Sequence, residues 1–133
     1  MKTLKKNDLL TRREAAFFME ERDALVLTRN SDWITSLYAA FQDENNLYLV
    51  MEYAPGGSMR SLIQNRDIPM PENEAKFYIA EILLSLEQLH KMKYIHRDVK
   101  PDNCLLDQNG HIKLADFGSC TKLDDTKRVH LIY

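Results

Sequence analysis

The segment at residues 94–103 constrains the fold of this chain more than any other. It holds Asp98, Lys100 and Asn103, so a carboxylate, an ammonium and a side-chain amide lie within one short stretch. A strongly helical segment precedes it and a short strand follows it, which allows these polar groups to converge on one point. A second carboxylate, Asp116, follows and is succeeded by a Phe-Gly pair. The pattern predicts a reaction centre between a helix and a small hairpin.

The two flanking elements have clear signals of their own. Residues 72–92 predict a helix, with acidic residues at its start, basic residues at its end and apolar residues at helical spacing. Those apolar residues are Ala75, Tyr78, Ile79, Ile82, Leu83, Leu86 and Leu89. Residues 103–107 and 110–115 predict two strands around an Asn-Gly turn. This hairpin would present Asn103 and Asp116 at its two open ends.

The first half of the chain predicts a helix followed by a second hairpin. A helix is expected over residues 12–29, because Thr11 and Glu14 fit a capping box. Residues 33–41 and 46–52 are rich in β-branched, aromatic and leucine residues and are separated by a polar turn. We therefore expect two antiparallel strands here.

Glu21 is the unusual residue of the first predicted helix, since it shares one face with Phe18 and Leu25. A carboxylate on an apolar face is unfavourable unless it finds a cation. Lys2 is the candidate cation. Two alternatives to this pair remain. Glu20 would be the acid in place of Glu21, or Lys2 would be a solvated residue of an exposed terminus.

Two further segments have weaker signals. Residues 58–65 predict a short helix after the loop at Gly56-Gly57, and residues 119–133 are polar with no predicted element. Two cysteines, Cys104 and Cys120, lack the number for a disulfide framework and the spacing of a metal site. They are expected to be reduced and to fill buried space.

Composition narrows the functional class. The 133 residues are 44% hydrophobic, which is enough for one domain with a core. A formal net charge of −2 gives no basic field for nucleic acid, so no nucleic-acid partner is expected. The apolar runs are too short to span a bilayer, and the chain starts without a signal-peptide pattern. With its reduced cysteines, the chain is expected to be cytoplasmic.

Together these segments resemble the catalytic core of the eukaryotic protein kinases. A lysine two residues after Asp98 is typical of the serine/threonine-specific branch. Residues 17–23, 40–44 and 110–120 are similar to the AGC group, in particular to the Rho-associated, myotonic-dystrophy-related and citron-like kinases.

The resemblance implies a truncated two-lobed α+β fold. In this interpretation residues 1–133 are a partial protein kinase domain. Residues 1–53 would hold part of the antiparallel N-lobe sheet with its central helix. Residues 54–133 would hold the hinge and the first part of the helical C-lobe. An apolar column between the lobes would consist of Leu25, Leu37, His96 and Phe117.

The same resemblance assigns roles to the polar residues. It implies that Asp98 accepts the proton of a substrate hydroxyl and that Lys100 reaches the transferred phosphate. It implies that Asn103 and Asp116 bind Mg²⁺, which uses oxygen ligands. Pairing with Glu21 would hold Lys2 against the phosphates of ATP. The residues around adenine would be Met51, Glu52, Tyr53, Ala54 and Leu105.

The sequence also departs from the family pattern. Ser58 stands where relatives carry an acidic residue, which bears on substrate preference. No glycine-rich loop precedes Lys2 and no Ala-Pro-Glu segment follows Asp116, so about half of a kinase domain and little activity in isolation are expected. Two alternatives to an enzyme remain: a non-catalytic binding module derived from a kinase, and an incomplete gene model. A protein substrate is implied, and a small GTPase could bind through regions absent here.

Overall fold

The computed structural model describes residues 1–8, 12–29 and 31–123, and its helices and strands form an α+β fold. The strands are β1 (Lys2–Lys5), β2 (Leu37–Gln42), β3 (Asn46–Met51), β4 (Tyr94–Ile95), β5 (Cys104–Leu106), β6 (Ile112–Leu114) and β7 (Thr121–Lys122). The helices are α1 (Arg12–Leu27), α2 (Met59–Gln64) and α3 (Glu72–Lys91), with 3-10 turns at Lys6–Asp8 and Pro101–Asn103. The three predicted helices and both predicted hairpins are present.

The first sheet is antiparallel, with strand order β1-β3-β2, so β1 lies at an edge. Lys2 is opposite Leu49 in this sheet. The turn between β2 and β3 depends on Asp43, whose Oδ1 accepts the N–H groups of Asn45 at 2.8 Å and Asn46 at 2.7 Å. The Asp43 side chain therefore takes the place of a main-chain acceptor and closes the hairpin.

Residues 33–36 are not part of β2, contrary to the strand predicted over residues 33–41. They run beside β6 instead. Ile34 forms a parallel bridge with Leu114, and the Thr35 N–H donates to the Leu114 carbonyl at 3.0 Å. Ile34 and Thr35 are both buried. This stretch therefore joins the first sheet to the second half of the chain.

Helix α1 packs as its sequence pattern predicts. Phe18, Glu21 and Leu25 are all buried on one face. The capping box predicted from Thr11 lies outside the described residues. The helix nonetheless starts at residue 12, as expected.

Helix α3 confirms part of the predicted apolar face: Leu89 is buried, and Tyr78, Ile82 and Leu86 pack against the core. Ile79 and Leu83 are 58% and 60% exposed, whereas Glu81, Ser85 and Leu89 are buried. The buried residues lie four apart and face the β5–β6 hairpin. Ser85 is accommodated because its hydroxyl donates to the Ile82 carbonyl at 2.7 Å, and Glu81 because it bonds the hairpin. Hydropathy alone assigns such polar residues to solvent.

Two short antiparallel pairs surround the polar loop. In the β5–β6 pair, Cys104 is opposite Leu114. Strands β4 and β7 form the other pair, with Tyr94 opposite Lys122. Strand β7 lies in the segment for which no element was predicted, and residues 124–133 lie outside the described residues. A two-residue strand has no measurable period, which explains why the sequence did not reveal it.

One hydrophobic core runs through both halves. It contains Leu25 of α1, Leu49 of β3, Leu89 of α3 and Ile112 of β6, together with Phe117. Both cysteines are buried and free, and burial raises the pKa of Cys104 to about 11 and that of Cys120 to about 12. Both fill buried space, as predicted, and the raised pKa values disfavour the thiolate. In the part of the chain that the structure describes, no helix is long and apolar enough to cross a membrane.

Candidate functional site

A cleft of about 310 Å³ lies between the first sheet and the β5–β6 hairpin. Its walls come from both halves of the chain. The residues that line it are Lys2, Glu21, Thr35, Met51, Glu52, Asp102, Asn103, Leu105, Ala115 and Asp116. Most of the site residues predicted from the sequence therefore meet in one cleft. Thr35, Asp102 and Ala115 were not predicted, because each is an ordinary strand or loop residue in the sequence.

Lys2 lies at the polar end of the cleft and contacts two carboxylates. Its Nζ is 2.7 Å from Glu21 Oε1 and 3.0 Å from Oε2, and 3.1 Å from Asp116 Oδ1. The predicted Lys2–Glu21 pair is therefore present, and the rival acid Glu20 does not take its place. One ammonium thus connects the edge strand, helix α1 and the residue after β6.

The pKa values of this pair follow from its burial. Burial alone would lower the pKa of Lys2, but its hydrogen bond to Glu21 and the charges of Glu21 and Asp116 outweigh burial and raise it. Burial raises the pKa of Glu21, with Lys2 opposing that shift. Lys2 is therefore protonated and positively charged at neutral pH. A buried Glu21 keeps its charge only while that cation is beside it.

Asp98, Lys100 and Asn103 form a second cluster at the rim of the cleft. Lys100 Nζ donates to Asp98 Oδ2 at 2.8 Å. Asn103 Nδ2 donates to the same oxygen at 3.0 Å and to the Asp98 carbonyl at 2.8 Å. The bond from Lys100, followed by that from Asn103, lowers the pKa of Asp98, so the carboxylate is ionised at neutral pH. With its nitrogen committed to Asp98, Asn103 has its amide oxygen left for the cleft.

His96 connects the two clusters, a role that sequence reasoning missed. It is buried, and its ring lies 4.9 Å from that of Phe117, consistent with a place in the apolar column. Its Nδ1 accepts the Asp98 N–H at 3.3 Å, and its Nε2 donates to the Ala115 carbonyl at 3.0 Å. Burial lowers the pKa of His96, so the neutral ring can do both. The feature of the sequence that could have indicated this role is the position of His96 two residues before Asp98.

Arg97 is a second residue that the sequence did not mark. Its Nε donates to the Ser119 carbonyl at 2.6 Å, and its Nη2 lies 3.4 Å from the Cys120 carbonyl. Its φ is 66°, and Asp116 has a φ of 58°. Non-glycine residues adopt this left-handed region rarely, and such strain is concentrated at functional sites. Arg97 therefore ties the polar loop to the segment after Gly118.

Two glycines lie where the chain approaches itself closely, tightly at Gly118 and too closely for any Cβ at Gly56. A Cβ at Gly118 would lie 3.3 Å from Lys2 Nζ and 3.4 Å from Asp116 Oδ1. A Cβ at Gly56 would lie 2.6 Å from that of Leu106. The Gly56 N–H donates to the Leu106 carbonyl at 2.9 Å, so this glycine joins the loop after β3 to β5. Its role exceeds that of a simple loop residue.

The predicted adenine-side residues divide into two groups. Met51, Glu52 and Leu105 line the cleft. Tyr53, which is 83% exposed, and Ala54, which is buried, do not line the cleft. The Glu52 N–H already donates to a main-chain carbonyl in residues 33–36 at 2.8 Å. Only the carbonyl of Glu52 is therefore available to a ligand. The main-chain contact to adenine predicted for this residue is limited to accepting a hydrogen bond.

Ser58 has a structural role in place of the expected acid. Its hydroxyl accepts the Ser61 N–H at 3.2 Å and caps α2. Nearby, Arg60 Nη1 lies 3.1 Å from Asp102 Oδ1. This rim of the cleft therefore carries a neutral hydroxyl and a carboxylate already paired with a cation.

The donor set of the cleft suits a hard cation held with few protein ligands. Asn103 offers an amide oxygen and Asp116 a carboxylate, both on the lining of the cleft. The residues that the structure describes contain no group of three or more His, Cys, Asp or Glu side chains that could hold a metal. Mg²⁺ fits such a site, because it keeps waters and takes further oxygens from phosphates. A transition-metal site would need softer or more numerous ligands.

Comparison with known proteins gives a consistent result. The protein kinase domain family matches residues 1–132. Serine/threonine-protein kinase MRCK beta of Homo sapiens is 54% identical over 125 residues, which are 94% of this chain and 7% of that protein. MRCK alpha of Mus musculus is 54% identical over 92% of the chain and 7% of its own length. Rho-associated protein kinase 1 of Oryctolagus cuniculus is 52% identical over 93% of the chain and 9% of its own length.

Proposed function

The chain belongs to the protein kinase family, and from that premise we propose that it carries the phosphoryl-transfer site of a serine/threonine protein kinase. The supporting observation is that Lys2, Asn103 and Asp116 line one cleft while Asn103 bonds Asp98 at its rim. Phosphoryl transfer needs a base, oxygen ligands for magnesium and a cation against the phosphates. The chain covers less than a tenth of these relatives, so the activity of the whole protein belongs to this proposal.

In this proposal the cleft binds ATP with Mg²⁺. Asn103 and Asp116 would hold the metal, and Lys2, fixed by Glu21, would face the phosphates. Adenine would lie against Leu105 and the hinge residues Met51, Glu52, Tyr53 and Ala54. Bound Mg²⁺ neutralises phosphate charge and aligns the transferred group. The two contributing regions would be residues 1–53 and 54–133.

Asp98 would act as the base toward a protein hydroxyl. Its lowered pKa keeps the carboxylate ionised, and Asp98 is held in place by the bond from Asn103 Nδ2 to its Oδ2 and by the bond from its own N–H to His96 Nδ1. Lys100, now 2.8 Å from Asp98 Oδ2, would move to the transferred phosphate. A cytoplasmic location, and a small GTPase contacting regions outside these 133 residues, belong to the same proposal.

We expect little transfer by the 133 residues assayed alone. Strand β1 is an edge of the described sheet, and no described strand covers the cleft above Lys2. Bound phosphates would therefore be open to water, whereas efficient transfer needs a closed site. Robust phosphorylation by the purified chain would contradict this expectation.

A chimera tests the site itself. The matching segment of MRCK beta is replaced by this chain, and phosphorylation of a serine peptide is measured with ATP and Mg²⁺. We expect transfer, and we expect Asp98→Asn to lower kcat by about 10²- to 10⁴-fold with ATP affinity unchanged. Asp116→Asn should weaken magnesium-dependent ATP binding. A folded chimera that binds ATP with Mg²⁺ but transfers nothing would contradict the proposal.

A further inference from the structure

Glu81 is a buried carboxylate outside the cleft, in the middle of α3. It is 5% exposed, and both of its oxygens have partners. Oε1 is 2.6 Å from His111 Nδ1, and Oε2 accepts the Ile112 N–H at 2.8 Å. A carboxylate is buried at a high cost in solvation unless such bonds replace water. The burial of Glu81 is therefore explained by the two groups that its oxygens bond.

What Glu81 holds is the start of β6, and with it the β5–β6 hairpin. The other side of the turn is closed by Asp107, whose Oδ1 accepts the His111 N–H at 2.9 Å. At the open end of the same hairpin, the Ala115 N–H donates to the Asn103 carbonyl at 2.9 Å. The hairpin is only three residue pairs long. A rotation at Ile112 would therefore displace Asn103 and the residue after Ala115.

We propose that Glu81 is a positioning residue, and that with His111 and the Ile112 N–H it forms a proton-sensitive latch. The latch holds the β5–β6 hairpin against α3, and it is tightest when His111 is protonated. The hydrogen bond is then charge-assisted on both sides. Its consequence for Mg²⁺–ATP binding rests on the proposed function, because that binding uses Asn103 and Asp116.

The charges around His111 support the direction of this effect. Glu81 faces it from α3, and Asp107 faces it from the hairpin turn, while Asp32 and Lys113 line the same surface depression. The hydrogen bond to Glu81, with the charges of Glu81 and Asp107, raises the pKa of His111. Such a group stabilises the fold fully below its unfolded pKa of about 6.5. That stabilisation is lost as pH rises through the folded pKa.

The test compares the wild-type chain in full length with its variants Glu81→Gln and His111→Gln. The matched control is Glu87→Gln, because Glu87 is an exposed acid of α3 paired with Lys91. Histidine signals are followed by NMR from pH 5 to 9, and the His111→Gln spectrum assigns the His111 signal. In Glu81→Gln we expect the titration of His111 to move down toward its ordinary range. The control should leave it unchanged.

Hydrogen exchange of the hairpin amides gives a second readout. In the wild type, exchange at residues 104–114 should become about tenfold faster, beyond the intrinsic pH effect, as His111 is deprotonated. Glu81→Gln and His111→Gln should remove this extra dependence. His111→Gln keeps the bond from Glu81 to the Ile112 N–H, so it remains informative if Glu81→Gln fails to fold. Unchanged His111 titration in Glu81→Gln, or unchanged exchange in His111→Gln, overturns the latch.

Binding of a fluorescent ATP analogue with Mg²⁺ to the chimera, with and without His111→Gln, connects the latch to the cleft. The wild-type affinity should fall about fivefold from pH 6 to pH 8, and His111→Gln should remove that fall. Absence of binding at every pH would overturn the proposed function, while the histidine titration and the exchange would still decide on the latch. Binding with the same pH dependence in His111→Gln would overturn the link to the cleft.

Discussion

Helices α1 and α3 each bury one carboxylate, but they pair it differently. Glu21 of α1 lies in the cleft, and its partner is the side chain of Lys2. Glu81 of α3 lies outside the cleft, and its partners are the side chain of His111 and the main-chain N–H of Ile112. Both acids are almost fully buried.

This contrast separates a buried charge that belongs to the site from one that belongs to the fold. A pair of side chains can be exchanged together for apolar ones at little cost in stability. A main-chain N–H cannot be removed in this way. If Glu81 is replaced by an apolar residue, the Ile112 N–H stays in place and loses its acceptor. We infer that the Lys2–Glu21 pair is separable from folding, whereas Glu81 is part of the fold. The following variants test this distinction.

The largest effect is expected from the core beside each acid. Leu25→Ala next to Glu21 and Ile112→Ala next to the Glu81 contact should each lower the free energy of unfolding by about 2–5 kcal/mol. Both side chains are fully buried, so each deletion leaves a cavity. Urea denaturation of the purified chain measures the loss. A loss in only one of the two would show that the regions are unequally packed.

The next effect is expected from replacing the α3 pair by apolar residues. Glu81→Leu combined with His111→Leu should lower the free energy of unfolding by about 1–3 kcal/mol, because the buried Ile112 N–H loses its acceptor. Glu81→Gln keeps an acceptor and should cost less. Denaturation midpoints of the two variants provide the measurement. Wild-type stability in the double leucine variant would contradict a role of Glu81 in the fold.

A comparable but reversible effect is expected at the cleft. Lys2→Met alone should cost about 2 kcal/mol, since Glu21 remains buried without its cation. The loss should shrink as pH falls, because the raised pKa of Glu21 lets the folded state bind the proton that the unfolded state lacks. Adding Glu21→Leu should restore most of the stability and leave ATP binding abolished. A double-mutant cycle by denaturation checks this, and additive losses would contradict it.

The smallest effect is expected on the exposed side of α3. Glu87→Gln removes one side of an exposed pair with Lys91, separated by four residues. It should change the free energy of unfolding by no more than about 0.5 kcal/mol. The same denaturation series measures it. A cost comparable to that of Glu81→Gln would mean that burial does not explain the difference between the two acids.

Much of the site followed from local sequence patterns. The spacing of Lys2 and Glu21, the polar loop before Asn103 and the residue pair at the open hairpin all led to groups that do line one cleft. The helix period indicated Glu21 and turn chemistry indicated the hairpin, and such features depend on near neighbours in the chain. The pairing with Lys2 and the roles of the polar residues came from the resemblance to the protein kinases.

What the sequence could not provide depends on contacts between distant segments. Burial of Glu81 and Ser85 contradicts their polarity, because their partners are the β5–β6 hairpin and a helix carbonyl. Ile34 leaves the expected strand for β6, and His96 bonds two segments at once. None of these pairings has a period or a spacing rule.

The helices, the hairpin turns and the set of oxygen and nitrogen groups available for chemistry can be read from the sequence alone. These follow from backbone preference and side-chain type, which each residue carries with it. The partner of each polar group depends on the packed chain: Asp116 beside Lys2, Glu52 with its N–H already used, and Glu81 on the Ile112 N–H. The reason is physical, since a buried polar group must find a partner and only the packed chain determines which one is within reach.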